Sequence, residues 1–143
     1  MSWISYAVVA ALLYGLHQVF TKLASDHISE GLGGFVVEGT AALTILLYLL
    51  FLWVSGKGSQ QVDSQGVWYS VLTGICVGVG TLAFFLLFQK GGPLSAVPMI
   101  LAGGSAIMAI IGIFFFNESH HWTRLLGIAF ALLGLFLLKA PNH

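Results

Sequence analysis

The feature that most constrains this chain is a run of about 23 residues, from Leu94 to Phe116, without one charged side chain. A helix of about 20 apolar residues is long enough to cross the hydrocarbon core of a bilayer. A second apolar run follows a short polar break and, counted from Trp122 to Lys139, has about 18 residues. These two runs predict membrane-spanning helices, because only helices and closed barrels satisfy their backbone polar groups within lipid.

The composition of the whole chain agrees with this prediction. Apolar residues make up 58% of the chain, charged residues only 7%, and the mean hydropathy is +0.97. A soluble domain carries about 25% charged residues, so this chain has too few to cover a water-facing surface. The net charge of zero gives no basic patch for nucleic acid. We therefore expect an integral membrane protein of one domain, residues 1–143.

Polar breaks divide the chain into five apolar stretches. We predict an all-α fold with five transmembrane helices at residues 3–24, 32–55, 67–88, 94–116 and 122–139. An odd number of spans places the two termini on opposite sides of the membrane. The basic residues that usually fix orientation are nearly balanced, with Lys57 and Arg124 on one side and Lys22, Lys90 and Lys139 on the other. This balance does not predict a single orientation.

Polar side chains inside the predicted helices are the candidates for a functional site, because such groups are costly in lipid. One face of the first helix carries four of them at i, i+3, i+4 and i+7, which places them together. With residues from the third and fourth helices they predict a substrate-binding cavity with aromatic walls. The predicted substrate-binding residues are Tyr14, His17, Gln18, Thr21, Thr81, Phe84 and Met99. Alternatively, these polar groups only hold neighbouring helices together.

Glu38 is the acidic residue that lies within a predicted span, in the second helix. The short hairpin makes the first two helices antiparallel neighbours, so Glu38, His17 and Lys22 should lie at similar depths. Two interpretations stay open at this point. Glu38 is either a structural partner of Lys22 or His17, or it acts with His17 to couple transport to a proton or cation.

Two groups of small residues and one proline predict a hinge in the fourth helix and a dimer interface on the last helix. Pro98 removes a backbone hydrogen bond early in the fourth helix, and Gly103-Gly104 follows, so we predict a hinge there. In the last helix, Gly127, Ala131 and Gly134 share one face, which lets a second backbone approach closely. This face is the predicted dimer interface. The sequence has no phosphate-binding loop, nucleophile triad or zinc-ligand spacing, so we expect no enzyme activity, cofactor or metal site.

These features together resemble the EamA domain, the repeat unit of the drug/metabolite transporter superfamily. The resemblance covers essentially the whole chain and rests on an aromatic-glycine pair and a lysine in the first helix, and on Asn-Glu and spaced glycines around the last. These residues are Tyr14, Gly15, Lys22, Asn117, Glu118, Gly127 and Gly134. EamA domains often carry an arginine near Glu38, so this chain departs from the family pattern there.

The resemblance implies a function as well as a fold. It implies a gradient-driven transporter of a small metabolite or organic cation in the cell membrane of a prokaryote. Full-length members have ten helices in two inverted halves, so a five-helix chain implies an antiparallel homodimer inserted in both orientations. The expected partners are lipid, a second copy of the chain and the substrate. The alternatives are half of a heterodimeric transporter and a membrane module that assembles with or regulates another complex without transporting anything.

Overall fold

The computed structural model describes residues 3–58 and 61–116, with positions 122, 125–127, 129, 130, 133 and 136. All regular secondary structure in this part of the chain is helical. Helix α1 spans Trp3–Ser25, α2 spans Glu30–Val54, α3 spans Ser64–Gln89 and α4 spans Val97–Phe115, which a 3-10 turn, Leu94–Ala96, precedes. The described positions between 122 and 136 are also helical. The all-α fold class with five helices is therefore confirmed.

Four of the helices are long and apolar enough to cross a membrane. Their ends agree with the predicted ends to within about three residues, which is the usual uncertainty of a boundary predicted from sequence. The fifth predicted helix, residues 122–139, lies largely outside the described residues. The chain divides into two compact units, Met1–Gly92 and Pro93–His143. The single domain over residues 1–143 stays a prediction.

Glycines end two of the helices in the same way. Gly56 after α2 and Gly91 after α3 have positive φ angles, 70° and 82°, which an L-residue with a side chain rarely adopts. The amide of the residue after each glycine forms a hydrogen bond with a carbonyl in the last turn of the helix. The Lys57 amide donates to the Leu52 carbonyl at 3.0 Å. The Gly92 amide donates to the Leu87 carbonyl at 2.9 Å. Both are Schellman motifs, which satisfy carbonyls that would otherwise lack a partner in an apolar environment.

The buried residues of the first unit collect at the end where the α1–α2 hairpin meets the end of α3. They are Gln18, Thr21, Ser25, Gly33, Gly34, Thr81, Phe85 and Phe88. Elsewhere the apolar side chains are mostly exposed, and the most apolar 18-residue stretch of α2 contains no buried residue. Such an exterior suits lipid. Trp3, Trp53 and Trp68 are exposed at the opposite end of the unit, as expected of an aromatic belt at the interface.

Two adjacent glycines bring α2 close to α3. A Cβ atom added to Gly33 would lie 2.5 Å from Cε1 of the Phe85 ring, and one added to Gly34 would lie 3.0 Å from a methyl carbon of Leu82. Phe85 is fully buried, so its ring has little room to move aside. Small residues commonly allow this close approach between helices in lipid.

The start of α4 differs from the sequence prediction. Pro98 occupies the first turn of α4, after the N-cap residue Ala96, instead of a position within a longer helix. The first amide groups of a helix have no intrahelical acceptor, so a proline there breaks no hydrogen bond. The backbone argument for a hinge at Pro98 is therefore wrong. Gly103 and Gly104 lie inside α4, and their part in a hinge stays a prediction.

The glycine contact predicts a difference between two matched substitutions in α2. We expect Gly33→Ala to lower the free energy of unfolding by about 1–3 kcal/mol, because its Cβ would overlap the buried Phe85 ring. Gly39→Ala is the control, since a Cβ there meets nothing within 4 Å and alanine favours a helix. Thermal unfolding in detergent measures both, and similar melting temperatures for the two variants would contradict the contact.

Candidate functional site

Several hydroxyl groups of the described helices donate to a carbonyl of their own helix. Ser25 donates to the Lys22 carbonyl three residues earlier at 2.7 Å, and five others donate to the carbonyl four residues earlier, at 2.8–2.9 Å. The residues are Thr21, Thr44, Ser70, Thr73 and Ser105. This local bond satisfies the hydroxyl and needs no partner on another helix. These residues therefore give no sign of a site by themselves.

Thr81 departs from this pattern. Its hydroxyl donates to Oε1 of Glu38 at 2.5 Å and so joins α3 to α2. Glu38 lies about 12 Å along α2 from Glu30, and Thr81 lies about 12 Å along α3 from Gln89, at 1.5 Å per residue. The two helices thus place both groups at the same depth, well inside the spans.

Helix α1, which packs on α3 and α2, adds two further polar side chains. Oε1 of Gln18 and Nδ1 of His17 are buried, and neither has a hydrogen-bond partner among the described residues. Gln18 is 7% exposed. A buried polar atom without a partner costs about 1–3 kcal/mol, so it calls for an explanation. We name His17, Gln18, Thr21, Glu38 and Thr81 the polar junction, because they lie at similar depths along three helices that pack on each other.

Lys22, the cationic residue nearest to Glu38 along the chain, does not form an ion pair with Glu38. Lys22 forms an ion pair with Asp26 at 3.2 Å, one turn closer to the hairpin, and its ammonium lies 5.7 Å from the centroid of the Phe88 ring. The Lys22 side chain is 29% exposed there, near the end of the span, which lowers the cost of desolvation. Lys22 is therefore paired with Asp26 and not with Glu38, and no bond between His17 and Glu38 occurs among the described residues, while a coupling role of Glu38 stays a prediction. In the described part of the chain, Glu38 forms no ion pair.

The predicted substrate residues differ in burial and in the unit to which they belong. Gln18, Thr21 and Thr81 are buried among the helices of the first unit instead of facing an open cavity. Tyr14 is 69% exposed, with its ring edge-on to His17 at 6.5 Å. Phe84 is partly buried beside Phe88, and Met99 belongs to the second unit. That these residues bind a substrate stays a prediction.

The predicted dimer face is only partly within the described residues. Gly127 is exposed, and a Cβ atom there would meet nothing within 4 Å. Ala131 and Gly134 lie outside the described residues. The interface therefore stays a prediction.

Sequence reasoning missed the residues that position the polar junction. Gly33 and Gly34 set the distance between α2 and α3, and Gln89 ties the end of α3 to the hairpin through a 3.0 Å bond from its amide to the Ile28 carbonyl. A signal was present, because Gly34 lies one turn before Glu38 and so shares its helix face. Small residues beside an intramembrane acid indicate that a neighbouring helix comes close to it.

Comparisons with known proteins agree with the fold. A model of the EamA-like transporter family matches residues 1–140. An uncharacterized protein of Methanocaldococcus jannaschii is 23% identical over 135 residues, which make up 94% of this chain and 94% of that protein. No solved structure gives a significant match. The family resemblance read from the sequence is confirmed.

Because the Thr81 hydroxyl bonds to a neighbouring helix, its removal should lower the stability more than the removal of a hydroxyl that bonds to its own helix. We expect Thr81→Val to lower the free energy of unfolding by about 1–2 kcal/mol, because the buried Glu38 carboxyl loses its donor. Thr81→Ser keeps a hydroxyl and should retain most of the stability. Thr73→Val is the control, since its hydroxyl bonds only to its own helix. Equal losses in Thr81→Val and Thr73→Val would argue against the interhelical bond.

Proposed function

This chain belongs to the EamA-like transporter family, and we propose that it is a gradient-driven transporter of a small metabolite or organic cation. The observation that carries the proposal is the bond between Glu38 and Thr81 inside α2 and α3, in a unit that also buries Gln18 and part of His17. Ionisable groups at such depths are rare and mark substrate or ion pathways. A bundle that only assembles with other proteins needs no such group.

The chemistry of the polar junction favours one class of substrate over others. Glu38 supplies a negative charge, and no cation pairs with it in the described residues. Together with the aromatic rings of Tyr14 and Phe84, this charge suits an organic cation or a metabolite with an amino group. An anionic substrate would meet repulsion. Glu38 and His17 are the residues that we assign to coupling between the substrate and the driving ion.

We further propose that the working unit is an antiparallel homodimer. Inverted halves are a common basis of alternating access, and two oppositely inserted copies would supply them. Three observations support this. The basic residues are nearly balanced across the membrane, Tyr14 at the end of the polar face is exposed in the single chain, and the matched relative has about the same length. The last helix, with Gly127, Ala131 and Gly134, would form part of the contact.

Two other arrangements remain as outcomes of experiment. In a heterodimer, a second five-helix protein of opposite orientation would take the place of the second copy. In a non-transporting module, the polar junction would only stabilise the fold. We assign the protein to the cell membrane of a prokaryote, which is also the kind of organism from which the matched relative comes.

A flux assay separates a transporter from a passive module. Purified protein in liposomes should move tetraphenylphosphonium or members of a metabolite mixture down an imposed ion gradient. We expect Glu38→Gln to reduce the initial rate at least about tenfold while the protein stays folded, because the charge at the polar junction is lost. Glu30→Gln is the matched control, since Glu30 lies in the first turn of α2. Absence of flux with every probe, or an unchanged rate in Glu38→Gln, would contradict the proposal.

The proposed antiparallel homodimer is tested by measuring on which side of the membrane the C-terminus lies. Reporters fused after His143, one active only in the cytoplasm and one only outside, should both give a signal. Adding two or three lysines to residues 56–66 should shift the population to one orientation and reduce transport, because positive loops stay in the cytoplasm. A single orientation of the unmodified protein with full activity would exclude the antiparallel homodimer. Activity that appears only with a second membrane protein would favour the heterodimer.

A further inference from the structure

We infer that the rings of Phe85 and Phe88 form a gate that closes the polar junction on the side of the α1–α2 hairpin, with the side chain of Gln89 as its latch. The gate deepens the proposed function, because alternating access needs a side that can close, and in that sense it rests on that function. Its opening can nevertheless be measured in the absence of any flux. Three observations carry it: the order of residues along one face of α3, the contacts of the two rings with the hairpin, and the hydrogen bond of Gln89.

One face of α3 differs in character on the two sides of Thr81. Positions 74, 78, 81, 85 and 88 follow each other at spacings of four and three residues, so they share this face. Toward the hairpin it carries Phe85 and Phe88, which are 0% and 1% exposed. Toward the opposite end it carries Gly74 and Gly78, where an added Cβ atom would meet nothing within 4 Å among the described residues. Two buried rings therefore stand between Thr81 and the hairpin end, and only glycines stand on its other side.

The two rings meet both arms of the hairpin. A Cβ atom added to Gly33 would lie 2.5 Å from Cε1 of Phe85 and 3.0 Å from Cγ2 of Ile28, so the ring and the hairpin residue pack over the same glycine of α2. The Lys22 ammonium of α1 lies 5.7 Å from the centroid of the Phe88 ring. Because the two rings have almost no solvent-accessible surface, this end of the unit is closed over the polar junction.

Gln89 joins the two sides of this gate. Its side-chain amide donates to the Ile28 carbonyl at 3.0 Å, and among the described residues no other hydrogen bond joins α3 to residues 26–29. Gln89 is exposed, unlike the two rings behind it, and a single neutral hydrogen bond contributes little net stability. The bond can therefore break and form again while the unit stays folded. The first unit ends three residues later, at Gly92, so the latch lies where the chain leaves the unit.

Opening of the gate is measured with a cysteine in place of Ser25, which is buried at the hairpin end of α1. Ser25 is 5% exposed, and its hydroxyl donates to the Lys22 carbonyl of its own helix, so cysteine fits with little loss. Cys76 is exposed and is replaced by alanine in the same chain. The full-length Ser25→Cys, Cys76→Ala protein is purified in detergent, and its reaction with N-ethylmaleimide is followed by mass. A buried thiol reacts only when its surroundings open.

We expect Gln89→Leu to raise this labelling rate about three- to tenfold, because the loss of one hydrogen bond increases the open population by about that factor. Gln89→Asn, whose amide ends one methylene earlier, should act in the same direction and keeps a polar side chain if the leucine variant is unstable. Gln65→Leu, in the first turn of α3 at the opposite end, is the matched control and should leave the rate unchanged. Equal rates in the Gln89 variants and the parent, or an equal rise in Gln65→Leu, would overturn the latch.

A reversible cross-link separates a gate from a structural tie. Ile28→Cys and Gln89→Cys are combined in the chain without Cys76, joined by a short bis-methanethiosulfonate and released again with dithiothreitol. In liposomes the cross-linked protein should lose transport, and reduction should restore it, because the hairpin side can open again. Each single-cysteine variant, treated with the same reagent, is the control.

The two measurements distinguish failure of the gate from failure of the proposed function. Transport that continues in the cross-linked protein would overturn the gate. Absence of flux in the protein before cross-linking would count against transport alone, and the labelling rate of Ser25→Cys would then decide on the gate by itself.

Discussion

The first unit of this protein depends on the hydrogen bond between Thr81 and Glu38. In lipid there is no hydrophobic force between apolar helices, so their association rests on close packing and on polar contacts. Here the two act together. Gly33 and Gly34 let α2 approach α3, and one turn further along the same face of α2 the Glu38 carboxylate reaches the Thr81 hydroxyl. The close approach that packs the two helices therefore also allows a hydrogen bond between polar side chains within the membrane.

The remaining polar residues separate into structural and candidate functional ones by their hydrogen bonds. Hydroxyls that bond to the carbonyl four residues earlier, such as those of Thr44 and Thr73, are compatible with lipid and need nothing else. In the described part of the chain, His17 and Gln18 have buried atoms without a hydrogen-bond partner, and Glu38 forms no ion pair. Partners missing from the single chain are what a site for a cation or a substrate would supply. If two copies pair in opposite orientations, their polar junctions lie at equal depths from opposite surfaces.

Much of this fold follows from the sequence, because the length and hydropathy of each run set the number and ends of the helices. The depth of a residue along its helix follows in the same way, which is why the polar face of α1 and Thr81 of α3 could be named in advance. Rotation of one helix against another does not follow. For this reason the sequence offered Lys22 and His17, by depth alone, as possible partners of Glu38, whereas the bond in the structure comes from Thr81. Pro98 was misjudged for another reason, since a shift of the helix start by three residues moves a proline from the interior to the first turn.

A double-mutant cycle between Glu38 and Thr81 tests most directly whether their contact holds α2 to α3. The free energy of unfolding in detergent would be measured for wild type, Glu38→Leu, Thr81→Val and the double variant. Because each substitution removes the same bond, we predict a coupling energy of about 1 kcal/mol, so that the double variant loses less than the two single losses combined. Losses that add to within about 0.3–0.5 kcal/mol would show that the two side chains do not interact, and would contradict this account.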